Sequence, residues 1–471
     1  MEKQIWIAIT FIAFLLSFTV VGIYSATQKQ NTTNDYLLAS RNVNPWFTAL
    51  SAMATGQSGL LFIGNVGFAY VAGFSAVWIP VTWAVGDYIA WWFVFRKLRI
   101  ISEETDSDTV SSFLGSNYKK GRSVTIVSAL ITIAFLGSYA AAQLVAGSKA
   151  LNAVFGWNYQ LGIIAGAIIV VIYCFSGGIR ASIWTDSVQA ILMIISLLIL
   201  CTVGIIECGG FGGLATKLNA IDPSLTNWIP SDKAWGFFPY CLGWVVAGFG
   251  AVGQPHILVR GMAINSANNL TLARNIKFVC AQITSAAAFG VGLTARALQI
   301  ESMQGTDPEL ALPYLSLEFL PVVLVGLMLA GLFAATISTA DSQILSCSAA
   351  LTQDLVPTAA NSYKMAKIGT LIVTAIVLAI ALTGESSVFG LVIFSWSALA
   401  SGLGPLLVLR VWQKPVTVPV AITMMIFGIF VAITWNWGLK LSSAIYEVLP
   451  GMAAGFLVYL IAQLLLPKED S

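Results

Sequence analysis

Ala54-Thr55-Gly56-Gln57-Ser58-Gly59 stands in the middle of an apolar run from Trp46 to Tyr70. At ~1.5 Å per residue that run is long enough to cross a bilayer. Two glycines and a glutamine fit poorly at the centre of a membrane helix. Glycine weakens a helix by ~1 kcal/mol relative to alanine. Unwound backbone in hydrocarbon survives only where it is buried in protein or lines a cavity. Two readings fit the stretch: a helix broken so that freed carbonyls face an ion, or close helix packing through small residues. The rest of the chain decides between them.

Hydrophobic residues make up 58% of the sequence and charged residues 9%, against ~25% charged in an ordinary soluble domain. This is the composition of an integral membrane protein, read as one transmembrane domain over 1–471. A net charge of +2 is too small to imply a nucleic-acid partner, and no obligatory protein partner is evident. The six cysteines form no C-x-x-C pair and lie in or beside apolar runs, so they read as small buried hydrophobes. His256 is the only histidine, which excludes a histidine metal cluster or a catalytic triad. No nucleophile–base pair lies within one span, so the chain does not read as an enzyme.

Hydropathy predicts about thirteen spans, at roughly 4–25, 46–70, 74–96, 122–148, 158–177, 183–206, 235–257, 273–298, 321–350, 365–384, 387–410, 416–436 and 444–466. With the N-terminus outside and the C-terminus in the cytoplasm, most of the 23 Lys and Arg residues fall in inward loops, Lys29, Arg99, Lys119, Arg260, Lys277 and Lys468 among them. That is the bias expected of a multi-pass protein of the plasma (inner) membrane. The acids Glu103, Glu104, Asp106 and Asp108 read as a solvated inward face. Two outward loops, 209–232 and 299–320, are long.

Five spans (46–206) and five more (235–410) each open on an interrupted segment. The second reads Gly243-Trp244-Val245-Val246-Ala247-Gly248-Phe249-Gly250-Ala251-Val252-Gly253-Gln254-Pro255. Interrupted spans at matching places in two halves point to a transporter site, and an odd number of helices per half makes the halves inverted. The segments 4–25 and 416–466 are peripheral. A third interruption is Ala335-Thr336-Ile337-Ser338-Thr339-Ala340-Asp341-Ser342. On a helix, Ser338, Asp341 and Ser342 share one face and Thr339 flanks it. Hydroxyl and carboxylate oxygens are the hard ligands a small cation takes, and a buried charge at that depth costs at least ~2.5 kcal/mol. Asp186, in Trp184-Thr185-Asp186-Ser187, reads either as a functional acid or as an acid favouring a helix N-terminus. Asp87 stands alone with no evident partner. Tyr139, Gln143 and Trp396 are amphipathic groups inside spans, and His256 reads as a capping or interface histidine.

These segments resemble the sodium:solute symporter family of the glucose and proline transporter superfamily, and within it the bacterial sodium/proline symporters. The resemblance covers essentially the whole chain. It rests on Ala49-Leu50-Ser51-Ala52 leading into Ser58-Gly59, Trp184-Thr185-Asp186, Gly253-Gln254-Pro255-His256-Ile257, Ser338-Thr339-Ala340-Asp341-Ser342-Gln343, and the run from Phe389-Gly390-Leu391 to Gly404-Pro405. It implies an all-α, leucine-transporter-type fold of five plus five inverted helices, with one extra helix before and two after. It implies a sodium ion held by carbonyls of Ala54, Gln57 and Ala335 and hydroxyls of Ser338 and Thr339. Asp186 matches an acid some members use for a further sodium, and Asp341 and Ser342 stand near enough to join it or a proton site. The substrate-binding candidates are Gly56, Ser58, Tyr139, Gln143, Trp244, Phe249, Gln254 and Trp396. Two departures matter. Proline symporters carry an aspartate and a methionine at the places of Gly56 and Gln57, and a Trp and a Tyr at those of Ala247 and Ala251.

The expected function is sodium-coupled import of a small polar solute, an amino acid such as proline first, by alternating access. A proton- or sodium-coupled carrier of a monocarboxylate or vitamin acid stays open beside it. So does a non-transporting sensor, which the short tail after the last span disfavours.

Overall fold

The computed structural model describes residues 2–465 apart from 29, 117, 119, 231–232, 304, 357, 359–361 and 384–386. Lys29, Lys119 and Lys468, residue 466 and the end of the 209–232 loop therefore lie outside the described residues. The helices that build the core and frame the site, in chain order, are α1 Glu2–Ala26, α2 Pro45–Gly59, α3 Val66–Ala72, α4 Trp78–Ala90, α5 Gly137–Phe155, α6 Tyr159–Glu207, α7 Phe237–Phe249, α8 Pro255–Ala263, α9 Leu270–Ala297, α10 Val322–Ala349, α11 Tyr363–Thr383, α12 Val388–Val411, α13 Val418–Ile433 and α14 Val448–Leu465. Among the described residues the one β-type contact is an isolated bridge between Val43 and Ile264.

Burial ranks the helices. Of the apolar stretch around α10, 83% is buried, against 22% for the peripheral α1, whose Ile5, Ile9, Leu16 and Val20 face outward. An apolar exterior of this kind is what a bilayer covers. α10 is the centre of the bundle, so the polar run that the sequence placed on it is enclosed by protein on all sides.

Ten helices are long and apolar enough to cross a membrane, or eleven if the bent pair α7–α8 is one span. The expected count of thirteen is not confirmed, and the difference is local. The helical run Pro45–Glu104 spans 60 residues, about three bilayer thicknesses of helix, but turns through left-handed Ser58 (φ 54°) and Gly73 (φ 63°). α6, at 49 residues, is two helices that meet at a sharp turn at Gly178 (φ 58°), where the sequence places the boundary between spans 158–177 and 183–206. A Cβ on Gly178 would stand 2.4 Å from the Tyr36 carbonyl oxygen, so the turn is also pressed against the short helix Thr33–Leu38.

Small residues let backbones touch. A Cβ on Gly86 of α4 would lie 1.7 Å from the Val245 carbonyl oxygen of α7, and one on Gly248 of α7 would lie 1.9 Å from that of Trp83. The two helices therefore lock face to face, the packing that membranes favour in place of a hydrophobic drive.

Candidate functional site

The first interruption does break. Asn44 caps α2 and Pro45 fills its first turn, where a missing N–H costs nothing. The helix then runs to Ser58, whose φ of 54° and ψ of −174° end regular winding. The Ser58 hydroxyl accepts from the Leu60 N–H at 3.1 Å and sits 3.2 Å from the Tyr139 hydroxyl. The Gln143 side-chain oxygen accepts from the Gly59 N–H at 2.7 Å. Side chains of α5 thus satisfy backbone that the break exposes, as buried polar groups require. The second interruption, Gly250–Gly253, is a tight 3-10 turn followed by extended Gln254, and α7 and α8 meet at 59°. Gln254 donates to the Trp396 carbonyl at 3.0 Å, and the Trp396 indole donates to the Ala247 carbonyl at 2.8 Å. Both breaks are therefore braced by a neighbouring helix.

α10 delivers its hydroxyls to the first break. The Thr339 hydroxyl lies 3.2 Å from the Thr55 carbonyl oxygen and 3.0 Å from that of Ala335, and the Ser338 hydroxyl lies 3.2 Å from the latter. The Ala335 carbonyl takes both hydroxyls on top of its helical bond, which leaves the two hydroxyl oxygens and the Thr55 carbonyl, all on fully buried residues, with lone pairs unused. Such a set has spare lone pairs for a cation without a protein charge. The contact with α2 falls on Thr55, one residue from the expected Ala54, which is buried alongside it. The Gln57 carbonyl accepts from the Leu60 N–H, and the Gln57 side chain turns away, donating to the Ala281 carbonyl at 3.1 Å and lying 3.3 Å from the Ser285 hydroxyl.

Beside this set is a buried charge cluster. Asp186 Oδ2 accepts from Ser51 at 2.7 Å and pairs with the Arg260 guanidinium at 3.2 Å. Arg260 also donates to Ser182 at 3.1 Å, to Ser342, and to the His256 carbonyl at 2.6 Å. Asp341 Oδ1 accepts from Ser182 at 3.0 Å and Ser342 at 2.9 Å. Asp186 thus pairs with the guanidinium directly and Asp341 is linked to it through Ser182 and Ser342, all among residues at most 1% exposed. Asp186 Oδ1 and Asp341 Oδ2 have no hydrogen-bond partner, although a buried acceptor left unpaired costs ~1–3 kcal/mol. Two carboxyl groups against one guanidinium leave the cluster short of one positive charge when both are ionised. The Thr55 hydroxyl, 3.4 Å from Asp186 Oδ2 and 3.3 Å from Ser342, joins it to the oxygen set. Asp186 is eight residues past the Gly178 turn, which removes the helix-terminus reading.

On the other side of α2 lies a small cavity. Gly56, Gln57, Trp83, Asp87, Trp244, Lys277, Gln282, Ser285 and Trp396 line it. A larger space shares Ile79, Trp244, Phe389 and Ile393 with it and reaches Lys233 and Glu447, so the cavity adjoins an open space at the end of the bundle where α7 and α12 begin. The opposite end is closed. Arg41 donates to the Ser102 carbonyl at 3.0 Å and the Ser107 carbonyl at 2.9 Å, Arg99 donates to the Ile264 carbonyl at 2.8 Å, and Arg180 pairs with Asp35.

Of the substrate candidates, Gly56, Trp244 and Trp396 line this cavity. Ser58, Tyr139 and Gln143 brace the first break, Gln254 props Trp396, and Phe249 is half-buried off the lining. His256 is neither cap nor interface. It is buried in the first turn of α8, its ring 5.8 Å from that of Tyr139 and both its nitrogens unpartnered. The sequence reading missed Thr55, Ser51, Ser182 and Arg260 in the charge cluster, and the pairing of Asp87 with Lys277 in the cavity. Arg260 and Lys277 are cations inside apolar runs, a signal that the loop tally concealed. Among the described residues no three His, Cys, Asp or Glu side chains group as a metal site, and the described cysteines are all free.

A membrane bundle with two braced breaks, a hydroxyl-rich central helix and an enclosed polar cavity open at one end is a secondary carrier by construction. The sodium:solute symporter family model matches residues 36–428. The sodium/proline symporter of Escherichia coli (strain K12) is 30% identical over 97% of this chain and 92% of its own length. The osmoregulated proline transporter OpuE of Bacillus subtilis (strain 168) is 30% identical over 98% and 95%. This chain belongs to the sodium:solute symporter family. Its fold is that of a substrate-bound, outward-open Na⁺-coupled sialic acid symporter (TM-score 0.80, 18% identity, 98% of each chain covered). It also matches MhsT in complex with L-phenylalanine (TM-score 0.54, 15% identity, covering 89% of this chain and 99% of that one). Both neighbours share the leucine-transporter fold, so the expected fold class stands. Membership makes the chain a multi-pass, sodium-coupled symporter of a small solute.

Proposed function

We propose that sodium binds between α2 and α10, held by the carbonyls of Ala54, Gln57 and Ala335 and the hydroxyls of Ser338 and Thr339, and that the solute it drives is an amino acid such as proline. The observation that carries this reading is the Thr339 hydroxyl lying 3.2 Å from the Thr55 carbonyl oxygen, beside the break at Ser58. Asp186, Asp341 and Ser342 form a second cation or proton site, supported by the two carboxylate oxygens without partners. The proline assignment leans on the curated relatives. Gly56 and Gln57 line the cavity at the places where proline symporters are expected to carry an aspartate and a methionine, which leaves room for a different amino acid.

With the N-terminus outside, the open end of the cavity faces the exterior and the Arg41, Arg99 and Arg180 contacts close the cytoplasmic end of a plasma-membrane carrier. The segments 46–206 and 235–410 act as the two inverted repeats, with 4–25 and 416–466 peripheral. Sodium tethers α2 to α10 while the outer route is open. Solute in the cavity favours closure, and inward opening separates α2 from α10 and releases both.

The test is uptake into proteoliposomes with Na⁺ replaced by K⁺. Transport disappears on this reading, and undiminished transport overturns it.

A further inference from the structure

Asp87 of α4 and Lys277 of α9 pair directly, both buried, on the wall of the central cavity. Neither belongs to the sodium oxygens or to the Asp186–Arg260 cluster. The pair is the cavity's own ionised couple, surrounded by the amides of Gln57 and Gln282, the Ser285 hydroxyl and the indoles of Trp83, Trp244 and Trp396. A buried ion pair is a weak source of stability and is often replaceable by apolar residues. A pair kept on the wall of a solute cavity has a use there.

We propose that Asp87 and Lys277 read the charges of the transported solute and select a small zwitterion, one carboxylate and one ammonium, over anions and cations of the same shape. The proposal rests on the reading of this cavity as the solute site. Within the pair, Lys277 spends one of its three N–H donors on Asp87, and the carboxylate keeps further lone pairs. A zwitterion docking alongside places its carboxylate on the Lys277 ammonium and its ammonium on the Asp87 carboxylate. Four alternating charges then close a square without breaking the original pair. The wall carries no net charge, so a zwitterion leaves the filled cavity neutral. A monocarboxylate adds an uncompensated negative charge beside Asp87, in a space whose low dielectric strengthens every such repulsion. An amine without a carboxylate does the same beside Lys277. The three indoles supply apolar and cation-attracting surface for the body of the solute.

The experiment uses the full chain, purified and in proteoliposomes. The probes are the protein amino acids and glycine betaine, each amino acid matched to its amide and to the acid lacking its amino group. Thermal shift in Na⁺ and sodium-driven uptake are the readouts. Wild type is expected to take at least one zwitterion and to discriminate against its amide and its deaminated acid at least tenfold. Asp87→Asn should move the preference at least tenfold toward the deaminated acid, and Lys277→Gln toward the amide. The double variant Asp87→Asn/Lys277→Met, which buries no lone charge, keeps the test alive should a single variant fold poorly. It should lose the preference for zwitterions altogether. The proposal is overturned if no zwitterion binds, if wild type takes the deaminated acid equally well, or if the variants that fold keep wild-type selectivity. Stabilisation by Na⁺ alone separates the two levels. Its survival in each of those cases leaves the sodium carrier standing and removes only the charge-reading pair, and its absence in wild type removes the carrier reading itself.

Discussion

Thr55 is the residue on which both proposed cation sites turn. Its carbonyl meets Thr339 and its hydroxyl lies between Asp186 and Ser342. Replacing both Ser338 and Thr339 by Ala removes two ligand oxygens and leaves the backbone in place. The sodium concentration for half-maximal uptake should rise more than tenfold, about 1.4 kcal/mol of binding, and an unchanged sodium dependence counts against the site. Hydroxyls at adjacent positions in an apolar span made this face legible. The partner of Asp186 was not, because Arg260 is 74 residues away in sequence and periodicity carries no information about which helices meet. The inward acids show the same limit. Asp108 is half-buried and accepts from Asn34 at 3.0 Å. Burial pushes its carboxyl above the usual range, with the Asn34 bond opposing. A carboxyl with a raised folded-state pKa loses stability as pH climbs through the interval between its unfolded and folded values. Asp108→Asn, which can still accept from Asn34, should therefore match or exceed wild-type thermal stability at pH 7. The gain should vanish in acid, as melting curves across pH would record.

At the scale of helices, the contact between α4 and α7 is the most exacting. Gly86→Ala and Gly248→Ala each drive a methyl into a carbonyl oxygen under 2 Å away, and backbone cannot step aside as a side chain does. Each should lower the melting temperature by several degrees or abolish folded protein, as a fluorescence-detected size-exclusion profile would show. Gly137 is the control. It is helical with nothing within 4 Å of an added Cβ, so Gly137→Ala should be neutral or stabilising by up to about 1 kcal/mol. The two breaks were legible because Gly and Gln interrupt apolar runs that otherwise support continuous helix. So was the turn at Gly178, since Gly177-Gly178 parts two apolar runs there. Long apolar helices number ten or eleven against thirteen expected spans because the run Pro45–Glu104 holds two of those spans and Tyr159–Ile172 is short.

Over the whole molecule, burial increases inward from α1 to α10, and the polar groups follow it. Inward movement of a sodium ion with a neutral solute carries net positive charge, worth ~2.3 kcal/mol per 100 mV. An inside-negative diffusion potential imposed with valinomycin should accelerate uptake, and an inside-positive one should slow it. Indifference to potential would mean that the charge is compensated by counter-movement. The class of fold was visible in hydropathy and in two interrupted segments at matching places. The lining of the cavity was not, because it draws residues from six helices, α2, α4, α7, α8, α9 and α12.

Ser58 holds a left-handed backbone that glycine would adopt without strain, yet its hydroxyl is tied to Leu60 and Tyr139. The elbow is therefore set rigidly by a side chain, not left loose. A rigid elbow cannot flex on its own, so the arms on either side must swing together, and any gating motion has to pivot at the ends of this segment. Ser58→Gly would turn a crank into a swivel.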